Sequence, residues 1–199
     1  NSGLSRRLFI GLAHLAARFV RGGDRSSLEL RPSDASLIRA VTEANPRTVV
    51  VLVGGSAILT EEWRDRVPAL VLAWYGGMEG GHALASMLTG DIEPGGRLPF
   101  VIPRDVAHLP PFDSAAKSVV YDDKWGQRHL DGQGIAPAFP LGFGLGYTTM
   151  THKLLDHTFT ESGGTARVLV TNTGDRGGST VVQLYAADLS AGHPVDQLV

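Results

Sequence analysis

The amino-acid sequence predicts a layered α/β fold with a mainly parallel sheet, followed by an incomplete all-β segment. Three observations carry this. Two runs, TVVVLVGG (48–55) and PALVLAWY (68–75), are apolar on both faces, as strands covered on both sides must be. Stretches with helical spacing alternate with them through short connections, the order that builds a parallel layer. After Thr148 the apolar period changes from the helical to the two-residue kind.

Taken in order, SRRLFIGLAHLAA (5–17) has a twin-arginine appearance. His14 and Arg18 interrupt its apolar run, and Leu4, Leu8, Leu12 and Leu15 recur at helical spacing, so an amphipathic helix is expected over residues 1–21 in preference to a secretion signal. A helix is predicted over 33–46, capped by Ser33, with Leu37, Ile38 and Val41 on one face and Asn45-Pro46 as its stop. The first strand follows, then a short helix at 60–66 and the second strand. A glycine knot at 76–81 opens a further helix, to residue 91, whose Ala83, Leu84, Met87 and Leu88 face one way. EPGGRLPFVIPRD (93–105) reads as a turn and a proline-broken strand, and residues 107–136 as an irregular excursion with a loose hairpin.

The stretch PAFPLGFGLGYTT (137–149) is too broken by glycine and proline for a helix and too apolar for a solvated loop. It is read as the seam closing the α/β unit at 22–149, its aromatics plugging the base of the layer. In the β segment, 150–199, two alternating runs flank a polar glycine turn within 164–188. Val168 and Val170 point one way on the first, Val182 and Leu184 on the second. A complete sandwich needs about seven strands, and this segment supplies fewer.

The bulk numbers exclude several classes. With 43% hydrophobic and 19% charged residues the chain of 199 residues is an ordinary globular one. A net charge of −2 predicts no pull toward nucleic acid or anionic lipid, and no stretch approaches the roughly 20 apolar residues of a membrane helix. The absence of cysteine removes disulfides, thiolate nucleophiles and thiolate-bound metals, and leaves the compartment open. Seven histidines, at 14, 82, 108, 129, 152, 157 and 193, form no H-x-x-x-H or H-E-x-x-H pair, so no metal site is expected. VGGSA (53–57) lacks the spacing of a nucleophile elbow, and Ser56 is read as a helix cap. No G-x-G-x-x-G and no Walker lysine is present, so no nucleotide cofactor is expected.

Four blocks in order resemble the C-terminal half of the glycoside hydrolase family 3 enzymes, the β-glucosidase family: GGDRSSLEL (22–30), NPRTVVVLVGGSA (45–57), LAWYGGMEGGHALASMLTGDIEPGGRLPF (72–100) and PAFPLGFGLGYTT (137–149). TNTGDRGGSTVVQLY (171–185) looks like the start of the fibronectin-III-like domain that often follows. The resemblance covers roughly residues 22–199. It implies an α/β sandwich packed on a (β/α)8 barrel as partner, with the active site between them, and cofactor-free retaining hydrolysis of a β-glucoside or oligosaccharide. That chemistry needs two carboxyl groups about 5 Å apart, one ionised and one carrying a proton. The resemblance assigns the Asp nucleophile to the barrel, which this sequence lacks. It assigns the acid/base Glu to a loop shortly before the GGDR block. Residues 1–23 hold no Asp or Glu there, only Arg6, Arg7, Arg18 and Arg21 among charged residues, so both catalytic carboxylates are expected to be missing.

The residues left as candidates for the catalytic rim are Asp24, Arg25 and Glu79. Asp24-Arg25 is open between a loop-holding ion pair and a substrate-facing role. Glu79 is read first as a buried helix cap, where exposed N–H groups favour a carboxylate, with a direct sugar contact as the alternative. Tyr121 and Trp125 are candidate sugar-stacking aromatics. Gly76 stands where the family usually has proline, and Gly146 where it usually has serine. The expected function is therefore that of a piece of a retaining glycoside hydrolase acting on terminal β-D-glucosyl or related residues. The alternative is a non-catalytic carbohydrate-binding or assembly module derived from one.

Overall fold

The computed structural model describes residues 27–113, 116–120, 124–160, 163–186 and 197–198. The expected N-terminal helix falls outside them.

Helix α1 spans Pro32–Ala44. Pro32, with its φ already near the helical value, occupies the first turn, and the residue before it, Arg31, is extended, as a residue preceding proline prefers. Ser33 therefore lies inside the helix and does not cap it. Asn45 leaves the helix extended, and Pro46 cannot continue it. The inward face also differs from the expected one. Ala35 is buried and Ile38 and Thr42 are half-buried, whereas Leu37 and Val41 are exposed. Arg39 reaches Glu62, and Arg66 reaches Glu43 at 3.8 Å, so ion pairs to the following turn hold the helix in this rotation.

Strands β1 (Val49–Leu52) and β2 (Ala69–Leu72) pair in parallel, Val49 opposite Ala69 through Leu52 opposite Leu72. Between them residues 60–66 form a turn and a short 3-10 segment, Arg64–Arg66, where a helix was expected. Ser56 lies in a bend ahead of that turn and caps no helix. Helix α2 (Gly80–Thr89) follows β2 and ends on Gly90 in the left-handed conformation.

The core sits beside this sheet. Ile58, Thr60 and Trp63 from the turn are buried with Val101, Ile102 and Pro103. The seam packs here: Ile102 N–H donates to the Phe139 carbonyl at 2.8 Å, Leu98 N–H to Phe143 at 2.9 Å, and Gly142 N–H to Leu98 at 2.7 Å. Arg64 donates to the Ala138 carbonyl at 2.9 Å and stacks over the Phe139 ring, while Glu61 joins Arg64 and Arg104 at 2.8 and 2.9 Å. The region expected to be irregular contains a further helix, α3 (Gln127–Gln133), entered through Gly126 and ended by left-handed Gly134. Its Leu130 is fully buried, and the Gln127 side-chain oxygen accepts from Leu141 N–H at 3.0 Å.

Beyond the seam, β3 (Met150–Thr160) and β4 (Gly163–Asn172) form an antiparallel hairpin with a bulge at Leu155. The run at 164–172 thus pairs backward with 150–160 and not forward with the run after the glycines. Residues 173–184 form a loop that returns to the α/β unit. Arg176 lies over the Tyr147 ring at 5.2 Å and donates to the Gly90 carbonyl at the end of α2. Tyr185–Ala186 and Gln197–Leu198 add a short antiparallel ladder.

Candidate functional site

In a parallel pair both strands end at the same edge, and ligands of open α/β sheets bind at that carboxyl edge. Here it is formed by the turn after β1, Val53–Ser56, and by residues 73–79 after β2. Ala73 N–H still reaches the Leu52 carbonyl, at 2.8 Å. The next residue, Trp74, has φ +55°, the described non-glycine residue with a left-handed backbone. Its ring packs edge-on against Phe100, with centroids 5.5 Å apart. The chain therefore turns sharply, and Tyr75 points outward, 76% exposed.

Gly76 and Gly77 complete the turn. A Cβ on Gly76 would stand 2.8 Å from the Gly80 Cα, so the knot closes too tightly for a side chain there. Gly80 N–H donates to the Gly77 carbonyl at 3.3 Å and α2 begins.

Glu79 occupies the capping position of α2, but its carboxylate caps nothing. It bonds His82 Nδ1 at 2.7 Å, one turn on, with the two side chains 79% and 89% exposed. The expectation of a buried cap is thus corrected. The glycine backbone closes the knot by itself, which frees the carboxylate for its neighbour at helical spacing. Trp125 is 64% exposed on the segment leading into α3. Among the described residues no hydrogen bond, ion pair or ring contact joins it to Glu79. Asp24, Arg25 and Tyr121 lie outside the described residues.

The apolar run placed Trp74 and Tyr75 inside a strand, whereas the structure puts them on the turn beyond its end. The signal was present: a bulky aromatic pair directly before two glycines marks a strand end as readily as a strand interior.

Comparisons with known proteins show the family. Residues 9–147 match the glycosyl hydrolase family 3 C-terminal domain, and the chain belongs to that family. A β-glucosidase of Rhizobium radiobacter is 42% identical over 178 residues, 83% of this chain and 22% of its own length. A β-xylosidase of Formosa agariphila is 35% identical over 185 residues, 91% of this chain and 25% of its own. Among solved structures, the β-glucosidase from Kluyveromyces marxianus in complex with glucose superposes with a TM-score of 0.82 at 37% identity, covering 89% of this chain and 22% of that one. The chain thus spans about a quarter or less of the length of these relatives.

Proposed function

We propose that the chain forms one wall of the sugar pocket of a retaining β-glycosidase acting on terminal β-D-glucosyl or related residues. The hydrolysed bond is held between this wall and a (β/α)8 barrel that carries the nucleophile. The observation that carries the reading is the family match over residues 9–147, which spans the α/β unit and the seam. A glucose-bound relative of the same fold supports the sugar class. Retaining hydrolysis needs a proton-bearing carboxyl group about 5 Å from the nucleophile. Residues 1–23, where the resemblance expects that group, carry no Asp or Glu. Asp24, Arg25 and Glu79 are rim residues in this reading, and Tyr121 and Trp125 are sugar contacts.

The α/β unit is assigned to residues 22–149 as a layered sandwich, and residues 150–199 to the start of a fibronectin-III-like domain. An isolated two-stranded hairpin is marginal in water. The β3–β4 hairpin places Met150, Leu154, Val168 and Val170 on one face, beside His152 and Asn172, the kind of partly apolar face that a second sheet covers.

Hydrolysis of p-nitrophenyl β-D-glucoside tests the proposal, with the chain alone and mixed with a barrel domain prepared from a family relative. The expected result is no turnover alone and turnover on mixing only when a carboxylic acid is restored to the acid/base loop by substitution. Turnover by the chain alone overturns the reading. The absence of Asp and Glu from residues 1–23 favours a second reading, a non-catalytic carbohydrate-binding or assembly module. Silence from folded, docked protein even after the acid is restored would select it.

A further inference from the structure

We propose that Tyr75 is a stacking platform for a pyranose ring, a sugar contact distinct from Tyr121 and Trp125. The inference rests on the reading of the chain as a sugar-pocket wall and names the side chain that touches the sugar.

Four observations meet at this residue. First, it stands on the carboxyl edge of the parallel pair, where open α/β sheets take their ligands. Second, the residue before it is held in a backbone conformation that a bulky side chain rarely adopts, with φ +55°. Such outliers persist only where the surroundings enforce them, and they gather at binding sites. Here the Trp74 ring packs on Phe100, and the turn leaves the next ring outside the fold.

Third, the ring is braced. It lies against Gly55 in the neighbouring turn, so closely that a Cβ there would stand 2.9 Å from the ring edge. An exposed aromatic ring on a flexible stem loses conformational entropy when it captures a ligand, whereas one already resting on backbone loses little. Fourth, the polar groups that follow suit a sugar. The ring presents an apolar face, and four residues on, at the start of α2, the Glu79–His82 pair offers exposed carboxylate and imidazole groups. A pyranose has the matching form, a C–H face for the ring and hydroxyl groups along its edge for the pair. Among the described residues the Tyr75 hydroxyl has no hydrogen-bond partner, which leaves it free for the same hydroxyls.

Saturation-transfer NMR of the full chain with methyl β-D-glucoside, a single pyranose ring, tests this. Transfer to the sugar ring protons is expected in the parent protein and in Tyr75→Phe, which keeps the platform. Tyr75→Ala is expected to weaken binding about tenfold, the size of a lost aromatic contact. Gly55→Ala, which pushes the ring off its support, is expected to weaken binding in the same direction. Circular dichroism of each variant, with an unchanged melting curve, excludes unfolding as the cause. Binding that survives in Tyr75→Ala overturns the platform while leaving the sugar-wall reading in place. No binding by the folded parent protein also overturns the platform, and the p-nitrophenyl glucoside experiment then decides the wider reading separately. If Tyr75→Ala abolishes docking of the barrel domain and leaves sugar binding intact, the ring is a packing contact between domains and the proposal fails.

Discussion

Asp156 and Arg167 face each other across the hairpin, next to the bulge at Leu155. Arg167 Nε lies 3.0 and 2.9 Å from the two carboxylate oxygens, a two-pronged approach that fixes both side chains. The guanidinium holds the Asp156 carboxyl below its ordinary value; the loss of some surrounding water opposes this and His157 adds slightly to the lowering. The same pairing raises Arg167. A carboxyl lowered on folding contributes stability above its unfolded value and loses it as pH falls through the folded one. Asp156→Asn is therefore expected to lower the melting temperature slightly at neutral pH. The difference between parent and variant should disappear once the pH drops below the carboxylate range. A difference that persists in acid would trace the effect to packing. Both groups are exposed, so the effect is that of a surface pair. None of this pairing was readable beforehand, because Asp156 and Arg167 become neighbours only through the register of β3 on β4. Glu93 makes the same point: its carboxylate accepts from Tyr147 N–H at 2.8 Å across 54 positions of chain.

At the scale of elements, α3 is the instructive case. Its seven residues, Gln127–Gln133, hold a single large apolar side chain, Leu130, so no helical period could reveal it. Gly126 and Gly134 bound it, and glycine flanks alone read equally well as loop. What creates the helix is the fully buried Leu130, together with the Gln127 contact to the seam. Leu130→Ala should cost about 2–5 kcal/mol. In a chain of this length that amounts to a fall of roughly 5–15 °C in melting temperature. Thermal unfolding followed by circular dichroism measures it, and a fall of under about 2 °C would mean that α3 contributes little to the core. Strands β1 and β2 were legible because their apolar runs need cover on both faces. Their ends were not, because Trp74 breaks the ladder by a backbone angle that its identity does not announce.

At the scale of the molecule, burial is uneven. The buried residues Trp63, Val101, Ile102 and Leu130 all belong to the α/β unit. Both strands of the hairpin are exposed along nearly their whole length. Native-state hydrogen exchange should therefore release the amides of β3 and β4 well before those of Ile102 and Phe139, which bond each other at the centre of the core. The reverse order would show that the hairpin carries stability of its own. The sequence by itself determined the mixture of helix and strand, the parallel pairing of β1 with β2, the glycine knot before α2 and the family. Each of these rests on local signals, periodicity and glycine placement, that a linear chain displays. Only the tertiary structure decided which face of α1 turns inward, which strand β4 pairs with, and that Glu79 lies open beside His82 while Tyr75 rests on Gly55. Those outcomes depend on contacts between residues far apart in the chain. A pattern with a period of two or 3.6 residues states which face is apolar, but not which neighbour arrives to cover it.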